Sequence, residues 1–332
     1  MMRCTAMATA IAAIATFAGP AAADNGFSLT LPLGCTIGKE CFIQQYPDDD
    51  LGAGAKDYRC GGETYEGHDG TDLRIVSAKL AIDVLAAAPG RVKAFRDGVD
   101  DVLVETAADK ARVKNRECGN GVVIEHEGGW ETQYCHMRRG SVVMKKGQAV
   151  GAGTPLGKVG YSGDAQFPHV HLSVRRNGKK IDPFLGEEIG ASCVTGAAEP
   201  QSSLWTPAAR EALKYQDSVI IQTGFTAKPF SQPAGEEGAI EPPSASAEAL
   251  LFYARLINLQ KGDGLRLSIE GPGGFKDTRE MEPVDRDKAR YLIYSGKKRT
   301  EERWPAGSYQ GVIEVIRDGA AIRQAKDELQ LQ

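Results

Sequence analysis

Four of the five histidines in this 332-residue sequence fall into three short patterns. His68 and Asp72 stand four apart in GHDGTD, His136 closes YCH, and His169 and His171 stand two apart in FPHVHL. Imidazole is the commonest protein metal ligand and the side chain best suited to move protons near neutral pH. Together the patterns supply two histidines and one aspartate for a Zn2+ ion, an open coordination position, and two further imidazoles for proton handling. Three protein ligands with one open position is the layout of a catalytic zinc, whereas a structural zinc has all four positions filled by protein. Each pattern alone is ambiguous. An H-x-H pair serves equally well as two structural histidines on a half-buried strand, and a His–Asp pair is common on surfaces. His126, which ends the run Val122-Val123-Ile124 beside a glycine turn, is read as scaffold.

Two other metal chemistries fit less well. The zincin motif H-E-x-x-H is absent, because His126-Glu127 is followed by Gly128-Gly129-Trp130. A two-histidine, one-carboxylate iron site leaves several positions open and does not need two more histidines beside it.

Several elements must bring these residues together. On a strand, residues two apart share a face, so His169 and His171 point one way while Val170, Leu172 and Val174 enter the core on the other. His68 and Asp72 bracket a glycine–threonine turn, and their side chains converge if the chain folds back there. Between Tyr65 and Phe184 the sequence reads as short strands at 84–88, 121–126, 132–137 and 170–174, separated by glycine turns. This predicts a mostly antiparallel sheet with no long helix. Residues 24–62 form a lead-in holding one apolar stretch, 41–46.

The segment 196–205, containing GAAEPQSS, reads as a linker. Thr206-Pro207 has the form of a helix cap followed by proline at the first helical position, predicting a short helix to about Tyr215. Strand candidates follow at 249–259, 265–269, 290–294 and 309–317, with turns at 271–274 and 318–319. Their spacing predicts an immunoglobulin-like β-sandwich within 206–332. Residues 236–247, acidic and proline-rich, read as a surface loop, and Lys297-Lys298-Arg299 as a solvated one. Trp304 and Tyr309 read as core. This region offers no chemistry of its own, and protein partners are the role left open to it.

At the other end, Arg3, an alanine-rich apolar run over 5–17, and Ala21-x-Ala23 form a signal peptide, 1–23, cleaved before Asp24. No later run approaches a membrane span, so the mature protein is expected to be exported, with the periplasm favoured. Six of the seven cysteines then remain and none forms C-x-x-C, which reads as disulfides. Cys118 and Cys135 flank a hairpin turning at Gly128-Gly129 and face the same way. They are offset by about four residues, roughly 13 Å, so pairing them requires a bulge or a skewed turn. The net charge of −4 argues against a nucleic-acid partner but does not exclude an anionic polymer.

The order H-x3-D, Y-x-H, H-x-H resembles the lysostaphin-type (LytM-like) zinc metallopeptidases, which act on bacterial cell walls. Further likeness runs through VLAAAPGRV (84–92), CGNGVVIEH (118–126), the glycine-rich 142–163 and DPF (182–184), covering about 65–184. The resemblance implies a mainly β chain: an antiparallel, duplicated-hybrid-motif-like peptidase domain at 63–195, followed by the C-terminal sandwich. It implies one Zn2+ per chain on His68, Asp72 and His171, with His136 and His169 as the catalytic pair. Peptidoglycan stem peptides are the implied substrate, and the exported setting favours D,D-endopeptidase cleavage. A family member that has lost catalysis and regulates other wall hydrolases is the alternative, although no ligand is missing here. Cys135 departs from the family pattern and suggests a disulfide bracing the strand that carries His136. The charged segment 97–117 is longer than a minimal loop and is placed at the border of the groove.

Overall fold

A computed structural model describes residues 26–191, 193–195 and 200–332. The signal segment and residues 196–199 of the linker lie outside the described residues. The chain is mainly β, and every strand pairing within its sheets is antiparallel.

A nine-stranded sheet carries the site. Its order is β1 (Cys41–Gln45), β2 (Thr71–Ile75), β9 (His169–Arg176), β6 (Trp130–Met137), β5 (Asn120–Glu125), β4 (Gly90–Arg96) and β7 (Ala149–Val150). Strands β10 (Lys179–Asp182) and β11 (Glu187–Glu188) extend it beside β9, while β3 (Asp83–Leu85) pairs with β8 (Pro155–Lys158). The alternation expected of β9 holds. Val170, Leu172 and Val174 are fully or almost fully buried in the first hydrophobic core, with Tyr134 of β6 and Leu73 of β2. The expected strand at 84–88 is shorter. Beyond Leu85 the buried Ala86 and Ala87 give their N–H groups to the Thr154 carbonyl and the Tyr134 hydroxyl instead of a ladder. The segment 97–117 contains one short helix, α1 (Ala107–Arg112), capped by Thr106.

The lead-in belongs to this sheet. Cys41 of β1 stands opposite Ile75 of β2, and disulfides Cys35–Cys41 and Cys60–Cys193 tie the lead-in to itself and to residues past β11. The third disulfide, Cys118–Cys135, forms with a Cα separation of 4.8 Å. The offset counted along straight strands does not arise, because β5 does not continue straight. The β5–β6 register shifts between Asn120 and Val122, and Gly119 at φ 61° turns the chain back. The Cys118 carbonyl then accepts the His136 N–H at 2.8 Å.

After the linker, α2 (Pro207–Ala212) starts at Thr206, whose hydroxyl caps Ala209 N–H. Trp205, Ala209 and Leu213 are buried in the first core, so this helix packs on the nine-stranded sheet. Three strands follow in one sheet, β12 (Val219–Thr226), β13 (Ala249–Leu259) and β16 (Lys288–Lys298). Four lie in another, in the order β15 (Phe275–Met281), β14 (Gly264–Gly271), β17 (Gly307–Arg317), β18 (Ala320–Leu331). The inward residues of both, among them Phe252, Leu256, Leu267 and Ile313, share a second core that includes Trp304 and Tyr309. Two expectations are corrected here. Residues 236–247 are not wholly a surface loop: Glu236 lies in the last turn of helix α3 (Gln232–Glu237) and is 1% exposed, because two arginines neutralise it. Lys297 and Lys298 end β16 instead of lying in a loop.

Candidate metal centre

Three adjacent strands and one turn assemble the site. Asp72 on β2 stands directly opposite His171 on β9, and His171 is in turn opposite Cys135 on β6. His68 lies in the turn before β2, where its Nδ1 is 2.6 Å from the Tyr46 carbonyl. That carbonyl can only accept, so it fixes the proton on Nδ1 and leaves the Nε2 lone pair facing inward. His68 Nε2 and His171 Nδ1 lie 3.2 Å apart, and Asp72 Oδ1 is 3.2 Å from the first and 2.8 Å from the second. Ligand atoms of all three residues fall within 4.8 Å of one another. A tetrahedral ion with bonds of about 2.0–2.1 Å spaces its ligands by about 3.3 Å, so this donor set fits Zn2+.

The local electrostatics favour a cation. Burial opposes charge on His171, but Asp69 and Asp72 outweigh it and raise the imidazole to about 9. Burial would raise the Asp72 carboxyl, yet His68, His169 and the hydrogen bond from His171 hold it well below the usual range. Asp69 was not anticipated from the sequence. Its Oδ1 is 3.2 Å from His171 Nε2 and its Oδ2 pairs with Lys180 at 2.7 Å. The hydrogen bond from His171 is the main cause of its depressed pKa. Ser173 Oγ, 3.0 Å from the same nitrogen, completes the set. Both had a signal: Asp69 adjoins His68, and Ser173 continues the alternation of His169 and His171. Gly70 is required as well, since a Cβ there would come within 2.6 Å of His171 Nε2.

His136 and His169 stand beside this group with ring centroids 4.6 Å apart. Each rests Nδ1 on a backbone carbonyl, Ser162 for His136 and Phe167 for His169, both at 2.8 Å. In the neutral rings the Nε2 atoms therefore carry the lone pairs, and that of His169 is 3.6 Å from Asp72 Oδ1. Burial first, then neighbouring imidazoles, pushes His136 well below its ordinary value; burial also lowers His169 against the pull of Asp72. His136 has φ 60°, an uncommon backbone state for a residue with a side chain. That turn breaks the strand alternation, so Gln133, Cys135 and the adjacent His136 all line one cleft of about 250 Å3 with Tyr65, Asp164 and Arg175. Glu117, which ends the segment expected to border the groove, lines it too. His126 stands apart, with Nδ1 2.7 Å from the Pro89 carbonyl and Nε2 2.8 Å from Thr132 Oγ1.

A sheet that sets two imidazoles with lowered pKa beside a His–Asp–His set, with His136 and His171 open to one cleft, has the equipment of a metal-dependent hydrolase. Residues 66–183 match the model of Peptidase family M23. The chain is similar to peptidoglycan DD-endopeptidase ShyC of Vibrio cholerae, 32% identical over 136 residues that cover 39% of this chain and 31% of ShyC. ShyA, a peptidoglycan DD-endopeptidase of the same organism, is 33% identical over 94 residues, 27% of this chain and 21% of ShyA. The match thus spans a third or less of these relatives. Among solved structures, the catalytic domain of the prophage-encoded M23 protein EnpA from Enterococcus faecalis aligns with 22% identity and TM-score 0.30, over 42% of this chain and 88% of that one. A zinc-containing peptidase from Vibrio cholerae aligns with 20% identity and TM-score 0.28, over 48% and 41%.

Proposed function

We propose that this protein is an exported zinc endopeptidase that hydrolyses the peptide cross-links of peptidoglycan, with D,D-endopeptidase specificity, in the periplasm. The observation that carries the reading is the convergence of His68, Asp72 and His171 ligand atoms within 4.8 Å, beside two imidazoles whose Nδ1 atoms are held by backbone carbonyls. The M23 match and the DD-endopeptidase names of ShyC and ShyA support the substrate class.

Zinc held by His68, Asp72 and His171 would acidify a water and polarise the scissile carbonyl. The chain's own residues do the rest. His136 and His169, kept neutral by burial, can each accept a proton at Nε2. Once protonated, the same nitrogen can donate to the developing oxyanion or return the proton to the leaving amine. The Ser162 and Phe167 carbonyls hold both rings in the tautomer this requires. Asp69 holds His171 from behind, as carboxylates commonly do for metal-bound histidines. Residues 63–195 form the peptidase domain in this reading, with 206–332 as an accessory domain that offers a surface to protein partners.

The test combines zinc stoichiometry of the purified protein with muropeptide release from isolated sacculi. One zinc per chain and release of cleaved cross-links are expected. His136→Ala should retain the zinc and lower release by at least about a hundredfold. A wild-type protein that binds no zinc and releases nothing would reject the enzyme and favour a regulator of other hydrolases.

A further inference from the structure

We infer that the C-terminal region positions His169, and that Arg290 is the residue through which it does so; the inference rests on the role given to His169 above. Arg290 lies on β16, in the ladder opposite Ile257. Its Nη1 donates to the Gln166 carbonyl at 2.8 Å and its Nη2 to Gln166 Oε1 at 3.1 Å, while Glu105 lies 3.6 Å away. The same guanidinium stands 5.9 Å from the centre of the Phe167 ring, and Arg74 stands 4.9 Å from it. Phe167 is buried, with its ring 4.5 Å from that of His169, and its carbonyl accepts the His169 Nδ1–H. The acceptor that fixes the His169 tautomer therefore belongs to a residue contacted by two guanidinium groups.

Both guanidiniums depend on residues beyond 206. Arg290 comes from β16, and Arg74 is anchored by Glu236 of α3 at 2.5 Å and by Gln44 at 2.7 Å. Glu236 is shared with Arg255 of β13 at 2.6 Å. His136 provides an internal contrast. Its acceptor residue, Ser162, is held by Asn120 and Met137, both from the peptidase sheet. Among the described residues, the C-terminal region thus hydrogen-bonds to the segment that supports His169, whereas the hydrogen bonds of the Ser162 hydroxyl come from the peptidase sheet. A simple interface ion pair would stabilise the contact between the two regions without distinguishing the two histidines.

The experiment uses the full-length, zinc-loaded protein and the variants Arg290→Ala, Arg290→Lys and Gln166→Ala. Imidazole N–H proton resonances report each Nδ1–H bond directly, independent of hydrolysis. In Arg290→Ala the His169 signal should broaden or vanish while the His136 signal and the zinc content stay unchanged; Arg290→Lys, which keeps the cation, should restore it in part. With peptidoglycan substrate, kcat should fall about tenfold with KM within about twofold. Added to His169→Ala, Arg290→Ala should cost less than about twofold more, because both changes act through one group. Gln166→Ala, which removes only a side-chain contact, should weaken the His169 signal without unfolding the chain. Equal His169 and His136 signals in Arg290→Ala, or the same loss of kcat with and without His169, would overturn the inference. If the wild type releases no muropeptides, the function proposed above fails, while the N–H signals still decide the positioning.

Discussion

Asp69 and Ser173 show how the residues behind a ligand act on it. His171 turns Nδ1 toward Asp72 and leaves Nε2 to Asp69 and Ser173, so the orientation of the ring depends on groups that do not face the candidate metal position. Asp69→Ala is expected to weaken zinc binding by about 10–100-fold with little change in fold, measured by competition with a chelator of known affinity. Unchanged affinity would leave Ser173 as the sufficient partner. The five residues singled out in the sequence do meet in space, and they were legible because strand alternation and a short H-x3-D turn are local geometry. Arg74, Phe167 and Arg290 were not legible. Their importance comes from contacts with residues far away in the chain, such as Glu236 for Arg74, and no local spacing marks those.

Helix α3, whose last two residues fall in the stretch read as a surface loop, gives no helical signal: its sequence, QPAGEE, is short, contains proline and glycine, and lacks an apolar stripe. What holds it is tertiary: Glu236 between Arg74 and Arg255, and its carbonyl accepting the Ala78 N–H. Removing one partner from a buried ion group leaves uncompensated charge. Glu236→Ala should therefore destabilise the protein by about 3–5 kcal/mol in urea unfolding, more than Glu236→Gln, which keeps a hydrogen-bond acceptor. Equal effects would mean that the charge itself contributes little. Strands β15 and β18 escaped the sequence reading for the opposite reason: both lie at sheet edges and are rich in charged residues, so neither shows an apolar run. The β13, β14 and β17 segments, with buried residues at every second position or more, were recognisable.

Across the whole molecule, the lead-in and the end of the peptidase stretch meet at two buried carboxyls, Asp49 and Asp182. Burial, then the charge of Asp49, raises Asp182 well above the usual carboxylate range; burial also raises Asp49. A carboxyl whose folded pKa lies above its unfolded value of about 3.9 binds protons more tightly in the native state. Its stabilising contribution is complete below the unfolded value and is lost as pH rises through the folded one. Asp182→Asn keeps an oxygen to accept the Phe184 and Leu185 N–H groups while removing the charge. It should raise the melting temperature by a few degrees at pH 8 and change it little at pH 4; a lower melting temperature at pH 8 would mean that the charged form is favoured. Another meeting of distant segments bears on how the chain is made. Leu29 exchanges backbone hydrogen bonds with Leu204 and Thr206, and Trp205, Ala209 and Leu213 fill the core beneath the site strands. A ribosome therefore delivers every residue of the site, from His68 to Ser173, before it delivers the side chains that close the core on which their strands rest.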